Sequence, residues 1–317
     1  MLIPRQIREA EMAGTRVRAR LLKVVDGDTI KVELGGRSES VRLACLDTEE
    51  SWPGGSKPVT EAGRQASAWA KSWFGADAEG QPTAEVSLDL EFDTADPPSL
   101  ALVRHRDNYG RLLAYAWRGT EHYNLAAVSV GWSPYFVKYG RSRTHHGAFL
   151  RAEARAQAQG IGVWDPGING AGPTRDYRQL LPWWQMRDGW VEDYRAMGPQ
   201  AGVLSVRLDH AHLLAAAQRG EQVTVFCDLQ GGINRWVGDG ALIYAGSPAQ
   251  PFNLWIADRR APEAQDLLRL LETRYTGEGR QNYVYVTGRV SLYPSQGDGK
   301  PQIVLADVDQ LADLPPA

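Results

Sequence analysis

The chain has 317 residues, which is enough for about two domains of ordinary size. Its hydrophobic content of 43% and charged content of 23% are typical of a globular protein, and its formal net charge of −3 excludes a uniformly basic protein that coats nucleic acid. The two cysteines, Cys45 and Cys227, lack the paired spacing of a zinc site or a disulfide framework, and no run of about 18 apolar residues indicates a membrane helix. We therefore expect a cytoplasmic protein with no membrane contact.

The first half of the chain predicts a small barrel with helices on its outside. Alternating polar and apolar side chains indicate strands at residues 16–23, 29–34, 38–46, 84–92 and 110–117. Apolar residues at helical spacing indicate helices at residues 60–74, 124–132 and 145–160, with Thr60 as the N-cap of the first. Three strands, a helix and two more strands favour a closed β-barrel.

The second half predicts another domain of similar plan. Residues 166–200 are rich in Gly, Pro and Trp, and we expect them to form a linker that packs against its neighbours. From about residue 201 to 314, the predicted strands and helices follow the order of an oligonucleotide-binding (OB) barrel. The fold class that follows is mainly β with α (α+β), with one barrel in each half.

Aromatic residues of the second barrel allow two interpretations. Tyr283, Tyr285, Tyr293 and Trp255 lie on predicted strands. Barrels of this class bind single strands of nucleic acid by stacking bases on aromatic rings. The alternative is that at least half of these side chains belong to the barrel core.

Residues Asp26, Gly27 and Asp28 interrupt an otherwise regular strand pattern. Asp and Gly are depleted in strands, and Asp-Gly is a strong signal for a hairpin turn. Paired carboxylates on adjoining backbone also suit a hard divalent cation, which prefers oxygen ligands. This stretch alone is compatible with both a turn and a cation site.

Two further stretches place charged side chains where predicted strands begin or end. "VRLACLDTEES" (41–51) has an arginine on a strand and three carboxylates in the loop that follows it. "RDNYGRLLAY" (106–115) has a Tyr-Gly-Arg turn that enters another strand. Taken with "VVDGDTIKV", "TEAGRQASAWAK" and "EARAQAQGIGVW", these motifs follow the order and approximate spacing of the staphylococcal nuclease (thermonuclease) family. The chain resembles that family over residues 14–165, so we expect a catalytic domain at 14–165, a linker at 166–200 and an OB-like domain at 201–314.

The resemblance implies roles for eight residues. They are Asp28 and Asp47 as Ca²⁺ ligands, Thr48 as a ligand through its backbone carbonyl, Glu50 as the group that orients or deprotonates the attacking water, Arg42 and Arg111 as the arginines that hold the scissile phosphate, and Tyr109 and Tyr139 as aromatics of the nucleotide pocket. The chemistry agrees, because a hard cation and planar guanidinium groups stabilise charge on phosphorus better than flexible ammonium groups do. Arg42 and Asp47 would lie on opposite faces of an unbroken strand, so both reach one site only if the strand twists or bulges near its end.

Three positions depart from the family pattern. Glu49 stands where the family usually has proline, and it either acts on the metal site as a third carboxylate or is an exposed loop charge. Asn108 replaces a usual lysine, and Val137 replaces a pocket tyrosine. We expect both replacements to weaken binding of a terminal phosphate more than they disable the chemistry.

Two functional hypotheses follow from these residues. The first is a Ca²⁺-dependent phosphodiesterase that acts on DNA or RNA, favours single strands and leaves 3′-phosphate ends, as the resemblance implies. The second is a non-catalytic module of the same fold that binds nucleic acid or protein. Non-catalytic members usually lose one or more of the charged positions, and this chain keeps all five, so the first hypothesis is favoured; the five are Asp28, Arg42, Asp47, Glu50 and Arg111. The acidic second half leaves open a protein partner for the second barrel.

Overall fold

The computed structural model describes most of the chain as two compact units. The described residues are 12–54, 57–107, 109–248 and 250–316. Unit 1 comprises Met1–His105, Arg111–Phe136 and Arg141–Arg175, and unit 2 comprises Arg106–Gly110, Val137–Gly140 and Asp176–Ala317. The domain boundaries expected from the sequence differ in kind from this division, and they stay a prediction. Among the described residues, no helix has both the length and the apolar character needed to cross a membrane.

The described residues of unit 1 form a six-stranded sheet and four α-helices. Its strands are β1 (Thr15–Val24), β2 (Thr29–Leu34), β3 (Arg37–Leu43), β4 (Ser87–Phe92), β5 (Leu112–Arg118) and β6 (Glu121–His122). Its helices are α1 (Glu61–Phe74), α2 (Pro98–Arg104), α3 (Tyr123–Ser129) and α4 (His146–Gln159), followed by a 3₁₀ turn at Gly162–Trp164.

Five of these strands close into a barrel. The sheet order is β3-β2-β1-β4-β5-β6, and a parallel pairing between β3 and β5 closes the first five. Apolar side chains of the strands fill the interior, and Val24, Ile30, Val41 and Leu112 are all fully buried. The predicted mixed fold with an N-terminal barrel is therefore confirmed.

Helix α1 packs closely on the loop that follows β3. Thr60 caps the helix as expected, since its hydroxyl accepts a hydrogen bond from the Gly63 N–H at 3.0 Å. A Cβ at Gly63 would lie 2.1 Å from the carbonyl oxygen of Glu50, so only glycine fits there. The Thr60 N–H also donates to that oxygen at 3.1 Å. The first turn of α1 thus fixes the backbone of Glu50.

The Asp26-Gly27-Asp28 stretch is the hairpin turn between β1 and β2. The Asp26 carboxylate accepts a hydrogen bond from the Asp28 N–H at 3.0 Å, and the Tyr123 hydroxyl donates to the Gly27 carbonyl at 2.7 Å. A Cβ at Gly27 would come within 2.7 Å of the Thr48 side chain. The turn interpretation is right for the backbone, and the same turn presents Asp28 to the loop that carries Thr48.

In unit 2, the part of the chain that the structure describes forms a second sheet and three α-helices. Its strands are β7 (Leu204–Ser205), β8 (Gln222–Asp228), β9 (Arg235–Val237), β10 (Gly240–Tyr244), β11 (Asn253–Ile256), β12 (Tyr283–Tyr293), β13 (Lys300–Val304) and β14 (Leu311–Ala312). Its helices are α5 (Tyr177–Met197), α6 (His210–Arg219) and α7 (Pro262–Leu270), with a π-helical turn at Leu271–Tyr275 and a 3₁₀ turn at Val308–Gln310.

The second sheet repeats the strand order of the first. The path β8-β12-β13-β11-β10 corresponds to β1-β4-β5-β3-β2, and β11 pairs with β13 in parallel as β3 pairs with β5. Unit 1 closes this path by pairing β1 with β2. In the described part of unit 2, no strand pairing joins β8 to β10, so this sheet is open along one seam.

Most of the unit 2 tyrosines under discussion belong to its core. Tyr283 and Tyr285 are buried on β12, where both rings contact Phe226 with centroids 5.0 Å apart. Tyr194 of α5 also stacks on Phe226, with ring centroids 4.5 Å apart. Tyr293 is exposed and remains available for stacking. The core interpretation therefore applies to Tyr283 and Tyr285.

Candidate active site

The end of strand β3 positions Arg42. Val41 and Leu43 point into the barrel core, so Arg42 projects from the opposite face. Arg42 also pairs in register with Thr29 on β2, which brings it beside Asp28. The strand ends at Leu43, and Cys45 adopts a left-handed conformation with φ of 60°. The chain turns there, so Arg42 and Asp47 can reach one site although an unbroken strand would put them on opposite faces.

The Arg42 guanidinium bridges Asp28 and Asp47. Its Nη1 contacts Asp28 Oδ1, and its Nη2 donates to Asp47 Oδ1 at 2.9 Å and to the Leu46 carbonyl at 3.0 Å. Both carboxylates are buried. The structure thus brings together three of the predicted residues around one planar cation.

Thr48 orients Asp28 from the other side. The Thr48 N–H and hydroxyl donate to Asp28 Oδ2 at 3.0 and 3.1 Å, and the Thr29 hydroxyl donates to Asp28 Oδ1 at 3.0 Å. These bonds fix the plane of the Asp28 carboxylate. The predicted role of the Thr48 carbonyl as a metal ligand stays a prediction.

Asp47 faces two further cations that the sequence analysis missed. Lys57 Nζ lies 3.0 Å from Asp47 Oδ1, and Arg175 Nη2 donates to Asp47 Oδ2 at 2.7 Å. Burial alone would raise the pKa of Asp47, but Arg175, Lys57 and Arg42 together hold it well below its usual range. Asp47 is therefore ionised throughout the neutral range.

Glu50 and Glu49 differ in exposure although they are neighbours. The Glu50 side chain is 37% exposed, with Oε1 3.8 Å from Lys57 Nζ. Glu49 is buried, and its Oε2 accepts a hydrogen bond from the Asn169 amide at 3.3 Å. The interpretation of Glu49 as an exposed loop charge is therefore wrong. Glu50 is the carboxylate of this pair that can meet water or substrate.

Arg111 immediately precedes β5 in the barrel. Strand β5 pairs in parallel with β3, with Leu112 opposite Val41 and Leu113 opposite Arg42. Since Leu112 points into the core, Arg111 shares the outward face of the sheet with Arg42. Arg111 is also close enough to Asp26 to lower its pKa, although burial, the larger effect, raises it. The pairing places Arg42 on β3 and Arg111 at the start of the neighbouring strand β5.

The two predicted pocket tyrosines belong to unit 2. Tyr109 is exposed in a turn where its N–H donates to Asp107 Oδ1 at 2.9 Å. The Tyr139 ring lies 5.5 Å from Lys138 Nζ and 5.6 Å from the guanidinium carbon of Arg187. Their roles in a nucleotide pocket stay predictions. Val137 is buried in the same unit, and Asn108 lies outside the described residues.

The donor chemistry of this site fits Ca²⁺. Asp28 and Asp47 supply oxygen ligands, which this hard cation prefers, and the Arg42 guanidinium already occupies a cationic position between them. Among the described residues, no group of three or more Asp, Glu, His or Cys side chains is arranged to hold a metal. A cation here would therefore use two carboxylates, and backbone or water oxygens would complete its shell.

Comparison with known proteins decides the family. A family model described as "Staphylococcal nuclease homologue" matches residues 40–166. The N-terminal region belongs to the staphylococcal nuclease family. Asp28 lies upstream of the matched residues, and its hydrogen bonds with Thr48 connect it to them. The second sheet begins beyond the match.

Several curated proteins are similar to part of this chain. A thermonuclease of Staphylococcus intermedius is 29% identical over 144 residues, which is 45% of this chain and 73% of the relative. A thermonuclease of Staphylococcus hyicus is 30% identical over 35% of this chain and 55% of the relative. The SPbeta prophage-derived endonuclease YokF of Bacillus subtilis is 29% identical over 47% of this chain and 46% of the relative. The chain thus spans about half the length of the latter two, and the staphylococcal nuclease match supports a nuclease-type hydrolase.

Proposed function

We propose that unit 1 is a Ca²⁺-dependent nuclease that hydrolyses phosphodiester bonds of DNA or RNA to 3′-phosphate products. The observation that carries this proposal is the bridge from Arg42 to the two buried carboxylates Asp28 and Asp47, with the partly exposed Glu50 in the same loop. Carboxylate oxygens suit a hard divalent cation and guanidinium groups suit a phosphate, so the side chains gathered here match the needs of phosphodiester hydrolysis.

Each residue then has a distinct task. Asp28 and Asp47 would hold Ca²⁺, which when bound supplies positive charge to the scissile phosphate. Arg42 and Arg111 bind the phosphate oxygens and stabilise the charge that grows on them during the reaction. Glu50, held by its backbone contact to α1, orients or deprotonates the attacking water.

A cavity lined by the loop that follows Glu50, by helix α1 and by residues 76–78 offers room for part of a nucleic-acid strand. Its volume is about 640 Å³, and its lining includes Ser51, Trp52, Arg64 and Lys71. Trp52 is exposed and can stack on a base, while the two cations suit phosphates. This surface supports nucleic acid as the substrate, and we favour single strands because their bases are free to stack.

Replacing Glu50 with glutamine is expected to lower the rate of cleavage by about 100-fold, since loss of a general base typically costs two to four orders of magnitude. The fold should survive, because the Glu50 side chain is partly exposed and its backbone makes the contacts to α1. The measurement is the initial rate on labelled single-stranded DNA at saturating calcium.

Glu85→Gln is the matched control, because Glu85 is an exposed glutamate of the same unit. The control should cleave at the rate of the unsubstituted protein. If Glu50→Gln also cleaves at that rate, Glu50 does not handle the attacking water and its assignment fails.

A further inference from the structure

Arg175 contacts the candidate site from beyond the matched family region, which ends at residue 166. Its Nη2 donates to Asp47 Oδ2 at 2.7 Å, and its Nη1 donates to the Asp47 carbonyl at 3.4 Å. The guanidinium therefore holds both the side chain and the backbone of one residue. The two contacts fix the orientation of the Asp47 carboxylate relative to its own backbone.

Asn169 anchors the segment that carries Arg175. Its side-chain oxygen accepts a hydrogen bond from the Ala62 N–H at 2.9 Å, in the first turn of α1, and its amide donates to Glu49 at 3.3 Å. Asn169 is itself buried. Asn169 thus ties the segment 167–175 to α1 and to the loop that follows β3, and Arg175 is held in position with it.

The three cationic side chains around Asp47 differ in solvent exposure. The side chain of Lys57 is 40% exposed and that of Arg42 is 16% exposed, whereas that of Arg175 is 8% exposed. An arriving metal ion can displace the Lys57 ammonium into solvent, since that side chain is long and flexible. Arg175 has the least exposed side chain of the three, so it is the least able to move away and its positive charge remains beside the carboxylate.

We propose that Arg175 is a positioning residue that orients Asp47 and, as a fixed positive charge, lowers the affinity of the site for its divalent cation. This inference rests on the proposed function, in which Asp28 and Asp47 hold the metal. Arg175 presents Asp47 with Oδ1 turned towards Lys57, whose position a metal can take over. Because the fixed guanidinium repels the ion, a higher metal concentration is needed to fill the site.

The test is calcium binding measured by isothermal titration calorimetry on the full chain without nucleic acid. Arg175→Gln keeps a hydrogen-bond donor for Asp47 and removes the charge, and it is expected to bind calcium at least about tenfold more tightly. Arg175→Lys keeps the charge and should bind calcium within about twofold of the unsubstituted protein. Arg151→Met removes an exposed charge from α4 and should leave calcium binding unchanged.

Weaker or unchanged calcium binding by Arg175→Gln overturns the inference, as does equal tightening in Arg175→Lys. If Arg175→Gln fails to fold, Arg175→Met serves as the second neutral variant and is judged by the same criterion. If Arg175→Gln binds calcium as the unsubstituted protein does, and the unsubstituted protein still cleaves DNA in calcium, Arg175 has no such role. The proposed nuclease function is then unaffected. No calcium binding by any of these proteins, with no cleavage, removes both.

Discussion

Replacing Arg42 with lysine is expected to lower the rate of phosphodiester hydrolysis by about 1,000-fold. Lysine keeps one positive charge but lacks the planar fork, so it cannot bond Asp28 and Asp47 together or offer two parallel donors to a phosphate. The charge balance of the two buried carboxylates is preserved, and the protein should therefore remain folded.

The measurement is the initial rate on labelled single-stranded DNA, paired with thermal unfolding to confirm that Arg42→Lys is folded. Arg37→Lys is the matched control, because Arg37 is an exposed arginine at the start of the same strand. The control should retain full activity. A rate for Arg42→Lys within about threefold of the unsubstituted protein would contradict the assigned role, since one lost transition-state donor typically costs 100-fold or more.

Replacing Arg187 with methionine is expected to lower the free energy of unfolding of unit 2 by about 3–5 kcal/mol. Arg187 is fully buried on α5, where it donates to Asp228 Oδ2 at 2.6 Å, to Asn282 Oδ1 at 2.6 Å and to the Lys138 carbonyl at 3.1 Å. Burial would lower the pKa of Arg187, but electrostatic interactions with Tyr283 and Asp228 raise it above its ordinary value. Removing the guanidinium leaves these acceptors without their cation.

The readout for Arg187→Met is hydrogen exchange of the backbone amides in β8 and β12, the strands that carry Asp228 and Tyr283. These amides should exchange at least about 150-fold faster if they open through unfolding of this unit. Arg178→Met is the control, because Arg178 is exposed on the same helix. Unchanged exchange in β8 and β12 would show that the buried cluster contributes little to stability.

Short-range sequence signals predicted the barrel of unit 1 well. The Thr60 cap, the left-handed Gly160 at the end of α4 and the alternation of β1 and β2 are local patterns with direct physical causes, and the structure contains each of them. The end of β3 was placed too late, at residue 46 instead of Leu43, because the conformation of Cys45 is not typical of its residue type.

Helices without a clear apolar period were harder to predict. Helix α5 lies within residues 166–200, where Pro182 inside the helix and several tryptophans hide the pattern. Asp176 gave a usable signal, since its carboxylate caps the helix by accepting from the Arg178 N–H at 3.0 Å. Helix α2 starts with Pro98. Proline is common at the first position of a helix, but it also interrupts the apolar periodicity by which a helix is predicted.

The candidate site was only partly predictable for a different reason. Asp28, Arg42, Asp47, Thr48 and Glu50 lie in motifs that the sequence displays. Three further residues contact the same loop from positions between 10 and 128 residues away in the chain: Lys57, Asn169 and Arg175. No local sequence spacing reveals these contacts. Long-range contacts of this kind depend on the folded barrel, so the structure was needed to find them.

The most direct test of the central claim is hydrolysis of single-stranded DNA, double-stranded DNA and RNA by the unsubstituted protein, with added calcium and with a chelator. We predict cleavage of at least one substrate in calcium, with 3′-phosphate ends on the products, and loss of cleavage in the chelator. No cleavage of any of the three in calcium, with binding of nucleic acid retained, would contradict the account and leave a binding module that has kept the charged residues of a nuclease.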